Sequence, residues 1–410
     1  MANEFDVSPE ELQRIFDELI QPRLFRNAKP YPRGERPVLV QLGGQLAAGK
    51  SHALNDIVVR HGGRIVQLSP DQLRTFHPRY EEIMRDRPHE MVPLTSQAMY
   101  VWSDMVRQYA HQHGYGIVVE GTFRSPEYLV QYAQEAAQPV PGVHDGFLNE
   151  IVVVATPREQ SALDMVGRYL ADPPGEGRWA DIGGHDATFD QLPLSVEILE
   201  NTPQIDRVIV TDRAGTIHYD NSRGPDGAWQ QPARAAEALR EARSEGKIPF
   251  NAEQAQKWLN AYWKNSADLI AREELNPTTA PTMLALHQHA DRVAHVAYAD
   301  DPERMAQHET WQKVQKIVFQ AGERGVPNTQ LPRHPEEFMN ASKEEKTRFY
   351  ALVAGALKET SQDLPKDAVE AVKRAQQGVA PPMRGTSTSP SPQAAADKRQ
   401  GREKDPGLER

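Results

Sequence analysis

Residues Gly44-Gln45-Leu46-Ala47-Ala48-Gly49-Lys50-Ser51 set two glycines five positions apart and follow the second with a lysine and a hydroxyl. That spacing is the P-loop pattern, and its context agrees: a β-branched run at 38–42 precedes it and a helical pattern begins at Ser51. Gly44 and Gly49 let the chain curl round a phosphate group, while the intervening amides and the helix N-terminus turn positive partial charge inward. Lys50 would reach the β- and γ-phosphates of ATP and Ser51 would ligate Mg²⁺. A P-loop is shared by kinases, motors and switch proteins, so the acceptor side decides among them.

Three further groups have the right chemistry. Asp71 follows the apolar run 65–68, at the carboxyl end of a strand, where ligands bind in open α/β sheets. A carboxylate there can take the proton of an attacking hydroxyl, and it can equally cap the helix that follows; position alone leaves both open. The next strand delivers Glu120, Thr122 and Arg124 to the same rim. Glu120 could reach Mg²⁺ through water, bind a substrate hydroxyl or cap a loop, and Thr122 and Arg124 could hold polar or anionic substrate groups. Arg168 and Arg178 flank a loop-like stretch at 171–177; they could surround a transferred phosphoryl group or be ordinary surface arginines.

The elements that position these groups follow from the hydrophobic pattern. Residues 8–25 read as an amphipathic helix with Ser8 as cap and Pro9 in its first turn. Short apolar runs at 38–42, 65–68, 117–119, 151–155 and 208–210 alternate with helical stretches, which predicts βαβ units and a mainly parallel sheet flanked by helices. The expected division is a P-loop kinase domain at 1–221, a turn-rich linker at 222–233, an all-helical region at 234–377 and a disordered tail at 378–410 that nearly lacks large apolar residues. In the helical region His287, His289 and His295 are read as scattered surface histidines rather than metal ligands. Trp258, Trp263 and Trp311 are read as core rather than a stacking platform.

Bulk properties narrow the class. The 410 residues contain no cysteine and carry a net charge of −10, which removes disulfides and thiolate chemistry and disfavours nucleic acid as a partner. No stretch approaches the ~20 apolar residues of a membrane span, and the acidic N-terminus lacks a signal-peptide pattern. A cytoplasmic enzyme acting on a small molecule is expected.

The segments GGQLAAGKS, SPDQLRTFHPRYEEI, GYGIVVEGTFRS, GRYLADPPGEGR and VIVTDRAGTIHYDN, in this order and spacing over about residues 5–221, resemble the zeta-toxin family of toxin–antitoxin kinases. The resemblance implies phosphorylation of UDP-N-acetylglucosamine on a sugar hydroxyl, toxicity unless neutralised, and an antitoxin protein as partner. It gives Lys50 and Ser51 the ATP and Mg²⁺ roles, Asp71 the role of base, Glu120 and Thr122 substrate contacts, and Arg168 and Arg178 the phosphoryl group. Asp104, where the family more often has Glu, would contact the sugar, and Phe123 would add an aromatic face near the substrate. These departures leave a dinucleotide such as NAD as an alternative acceptor, beside a metabolic or antibiotic kinase and a non-catalytic NTP switch.

Overall fold

The computed structural model describes residues 3–174 and 177–357; the tail 378–410 and the end of the expected helical region lie outside them. Six strands form one sheet: β1 (Val38–Gly43), β2 (Ile65–Leu68), β3 (Gly116–Gly121), β4 (Leu148–Ala155), β5 (Arg207–Asp212) and β6 (Ile217–Ser222). Their order is β2-β3-β1-β4-β5-β6. The first five are parallel, and β6 turns back antiparallel along β5. Helices α1 (Lys50–Arg60), α2 (Ser96–His113), α3 (Pro126–Ala136), α4 (Arg158–Ala171) and α5 (Ile182–Glu200) lie between the strands in sequence, and α6 (Ala235–Ala242), α7 (Ala252–Ala271), α8 (Ala280–Ala297) and α9 (Pro302–Glu323) follow β6.

Strand alternation sorts the apolar side chains to two faces. Val38, Val40 and Leu42 join Val118, Val152, Val154 and Ile209 beneath Ala53 and Ile57 of α1. On the other face Leu39, Val66, Leu68 and Ile117 pack against α2 and the N-terminal helical segment, while Ile151, Val153, Val208 and Val210 pack against α5 and α6. Both faces are covered, so the central strands read as continuous apolar runs. Strand β6 escaped the sequence reading because it is a polar edge strand: of Ile217–Ser222, only Tyr219 and Asn221 point into the protein. The N-terminal helix loosens into a π turn at Phe16–Ile20, where Pro22 cannot supply an amide to the ladder.

The residues expected to be a linker at 222–233 are folded onto the sheet edge. Arg223 bridges to Trp229 and lays its guanidinium over that ring at 4.1 Å, the Trp229 indole donates to Glu200 O at 3.1 Å, and Asn221 and Gln231 hydrogen-bond to each other. Beyond them Ala235, Ala238 and Leu239 of α6 are buried in the sheet core. Leu163, Val166, Tyr169 and Leu170 of α4 share one cluster with Trp258, Leu259 and Tyr262 of α7. The helices after residue 233 therefore pack on the sheet through α6 and on α4 through α7.

Trp258 and Trp311 are core residues, with Trp263 packed partly buried against them. His287 and His289 are also buried, not on the surface as the sequence reading had them. Helix α8 lies against neighbours on more than one side: His287 meets Tyr262 and Phe319, and Gln312 donates to its carbonyl, while buried His289 feels the charges of Arg292, Asp186 and Arg158.

Candidate functional site

Strand register creates the site. Leu42 and Gly43 of β1 pair with Glu120 and Gly121 of β3, and Leu68 of β2 pairs with Val119. The three chains therefore leave the carboxyl edge side by side, carrying the glycine loop, Glu120 and Asp71 to one rim. Gly49 sits in the left-handed region at φ 81° just before α1, a conformation that suits glycine at the tight entry to the helix. Gly43 permits a close approach: a Cβ there would lie 2.5 Å from the Phe123 ring. Phe123 is buried in the core with φ 57°, and its carbonyl accepts from Ser195 Oγ at 2.6 Å. It supports the base of the loop and offers no aromatic face to a substrate, which corrects the expectation for that position.

Lys50 turns back over the loop, donating from Nζ to the carbonyls of Gly44 and Gln45 at 3.0 and 3.3 Å. Burial lowers its pKa, opposed by the charges of Glu120 and Asp71 and assisted by Arg168. Burial raises the pKa of Glu120, against the pull of Lys50 and Arg168. These mutual fields bring Lys50, Asp71, Glu120 and Arg168 into one electrostatic cluster. Arg178 joins it directly from the segment after α4, with an ion pair to Asp71 Oδ2 at 2.9 Å.

Asp71 follows Ser69 and Pro70 in a short helix, Pro70–Leu73. Its carboxylate makes no capping bond to the backbone of that helix; it accepts from Arg74 Nε at 3.0 Å and from Arg178. Partial burial would raise its pKa, but the two guanidiniums prevail and the net shift is downward. Arg74 is itself buried and held by Val92 O and Thr95 Oγ1 at 2.9 and 2.8 Å. Asp71 thus has one rigid neighbour and one on a connecting segment, while its own side chain remains 59% exposed.

The remaining sequence-predicted residues divide. Ser51 opens α1 beside Lys50, and Thr122 and Arg124 follow Glu120 at the rim, with Arg124 exposed and making no ion pair among the described residues. Asp104 is elsewhere. It pairs with Arg107 on α2 and borders a cleft with Leu39, Ile117 and Tyr132, near the start of the strands rather than their carboxyl ends. The physical reason is the course of α2: its first residues adjoin Arg74, and it then runs away from the rim toward the start of β3, carrying Asp104 with it.

Several supporting residues went unnoticed in the sequence, and Gln45, expected only as a member of the phosphate loop, is the point several of them hold. Gln45 is fully buried and its amide is saturated: Nε2 donates to Thr156 O at 2.7 Å and to Ser161 Oγ at 3.1 Å, and Oε1 accepts from Arg243 at 2.9 Å. Thr156 Oγ1 donates to Ala48 O at 2.7 Å. On the outer side of the loop Arg213, paired with Asp164, comes so close to Gly49 that a Cβ there would meet its Nε at 3.0 Å. Only Arg74, three residues after Asp71 on one helical turn, could have been found by spacing.

Residues 22–224 match the family described as Zeta toxin. Toxin zeta of Enterococcus hirae is 25% identical over 221 residues, which are 52% of this chain and 75% of that one. Toxin PezT of Streptococcus pneumoniae is 24% identical over 225 residues, covering 53% and 87%. A solved structure from a characterisation of the PezAT chromosomal toxin–antitoxin system of Streptococcus pneumoniae superposes with a TM-score of 0.54 at 21% identity, over 64% of this chain and 98% of the other. That likeness shows the same fold.

Proposed function

We propose that this chain, which belongs to the zeta-toxin family through residues 22–224, is a kinase that moves the γ-phosphoryl group of ATP onto a hydroxyl of a nucleotide-linked small molecule. The observation that carries the reading is the meeting of Lys50, Glu120, Arg168 and the Asp71–Arg178 pair at the mouth of a glycine loop. A switch protein needs the loop, but it has no use for a carboxylate held beside it on the acceptor side. Asp71 would accept the proton of the acceptor hydroxyl as the new O–P bond forms. The bond from the γ-phosphorus to the bridging oxygen breaks and ADP leaves. Its lowered pKa keeps it ionised, hence able to accept, throughout the neutral range. Arg168 and Arg178 would stand against the charge spread over the transferring group, and Lys50 against the β- and γ-oxygens.

The residues fit a divalent cation of the Mg²⁺ kind, since a serine hydroxyl begins α1 directly after the loop and Glu120 stands at the adjoining strand end. When bound, Mg²⁺ would neutralise triphosphate charge; Ser51 would hold it, and Glu120 could do so through water.

For the acceptor, UDP-N-acetylglucosamine is the first reading, by family. NAD or an ADP-ribosyl compound is the second, favoured by the position of Asp104 away from the cluster, which withdraws one expected sugar contact. Toxicity restrained by an antitoxin protein is proposed on the same family ground. The test incubates the pure chain with ATP, Mg²⁺ and a panel of UDP-sugars, NAD and ADP-ribose, reading the gain of one phosphoryl group by mass spectrometry. Lys50→Ala serves as the control. Product formed equally by that variant, or no product from any acceptor with the wild type, overturns the kinase reading.

A further inference from the structure

Arg243 is the C-terminal cap residue of α6, beyond the segment that matches the family, and its side chain is fully buried, at 0% exposure. Its Nη2 donates to Gln45 Oε1 at 2.9 Å across a sequence separation of 198 residues. Its Nη1 donates to Phe189 O at 3.0 Å, its plane lies over the Phe189 ring at 4.1 Å, and Glu245 supplies the nearest counter-charge at 3.6 Å. A guanidinium taken out of water is costly unless its hydrogen bonds are fixed. This one therefore has few alternative arrangements, and it clamps a residue inside the glycine loop.

What it clamps matters for phosphate binding. Gln45 occupies the second position of the loop, and its backbone carbonyl is one of the two oxygens that hold Lys50 Nζ. With Nε2 bound to Thr156 and Ser161, the Gln45 amide has one orientation that satisfies all its partners, and Arg243 supplies the acceptor-side half of that lock. Ser161 is in turn held by His185, and Glu159, two residues before it on α4, is bonded through its carbonyl to Trp258 of α7 and through its carboxylate to Arg292 of α8. From beyond the P-loop motif Arg243 thus reaches the loop directly, while Trp258 and Arg292 hold the turn of α4 that carries Ser161.

We propose that Arg243 is a positioning residue for the nucleotide loop, so that triphosphate binding by the N-terminal half depends on a side chain supplied from beyond it. This rests on the reading of the loop as an ATP site. Removing one charge-assisted hydrogen bond from a preorganised loop is expected to weaken binding about tenfold.

The experiment measures the Kd of Mg-ATP by calorimetry on the full chain for the wild type, Arg243→Met, Gln45→Met and the double variant, with circular dichroism to establish folding. Leu239→Val is the control: it loosens the packing of α6 in the sheet core while leaving the hydrogen bonds and ring contact of Arg243 and Gln45 in place. The expected result is a Kd raised about tenfold in both single variants and no further in the double, with Leu239→Val near the wild type. A Kd within about twofold of the wild type in folded Arg243→Met, or effects that simply add, overturns the proposal. An equal rise in Leu239→Val does so too, because the cause would then be general loosening. Should Arg243→Met fail to fold, Gln45→Met carries the test from the loop side, and a wild-type Kd there overturns it. A wild-type chain that binds no triphosphate overturns the ATP-site reading itself, and this proposal with it.

Discussion

Cutting the chain after residue 233 should destroy the fold of what remains, although the sequence reading treated 1–221 as a kinase domain followed by a linker. The cut strips two faces at once. On α4, Leu163, Val166, Tyr169 and Leu170 lose Trp258, Leu259 and Tyr262. At the sheet and α5, Val208, Val210 and Leu192 lose Ala238 and Leu239. At about 1.5–3 kcal/mol for each large apolar side chain returned to water, the four residues of α4 alone come to about 6–12 kcal/mol. That matches the whole stability of an ordinary domain, about 5–15 kcal/mol. The cut also removes Arg292, the partner of the Glu159 carboxylate. Fragments 1–233 and 1–357 should therefore be compared by size-exclusion chromatography and thermal circular dichroism. The longer one should melt cooperatively like the full chain and the shorter should aggregate or show no transition. A monomeric 1–233 melting within about 5 °C of the full chain would refute the reasoning, since it would mean that the α4 face tolerates exposure.

The site yields two predictions. Asp71→Asn keeps the shape and removes the proton acceptor, so Mg-ATP affinity by calorimetry should be unchanged while turnover falls by about 10²-fold or more; retained turnover would make this residue no more than an anchor for Arg74 and Arg178. Arg178→Met removes a cation that lowers the Asp71 pKa, so the acid limb of the kcat/KM profile should move to higher pH, and an unmoved limb would show that another group sets it. The helical region yields one more. Burial holds His287 and His289 at a pKa of about 4, against 6.5 when unfolded. As pH falls between those values the unfolded chain takes up protons that the folded chain refuses, so stability declines through that window, by up to about 3 kcal/mol per histidine. Replacing both with Gln should flatten Tm against pH there, and an unchanged slope would place the sensitivity elsewhere.

What could be read from the sequence depended on whether the signal was local. The glycine loop, the five parallel strands and the carboxylates at the ends of β2 and β3 all follow from spacing within one strand–loop–helix unit, and strand register then brings them together with no further information. Asp104 shows the limit: counting along α2 does not say which turn of a long helix adjoins the rim, and the answer lies in how Arg74 ties the start of that helix to Asp71. Phe123 shows another. An aromatic ring next to a substrate motif reads as a substrate contact until the close approach at Gly43 turns it inward. The apparent linker misled for a third reason, since SRGPDGAWQQP has the composition of a spacer, yet Arg223 and Trp229 close it upon itself and Glu200 fastens it down. Arg243, which ties chain beyond the family segment to the glycine loop, leaves no mark in any local pattern, because its contact with Gln45 spans 198 residues of sequence. Motifs announce the chemistry of a loop; what holds the loop still is a property of the packing, and here that packing draws on chain the motif does not include.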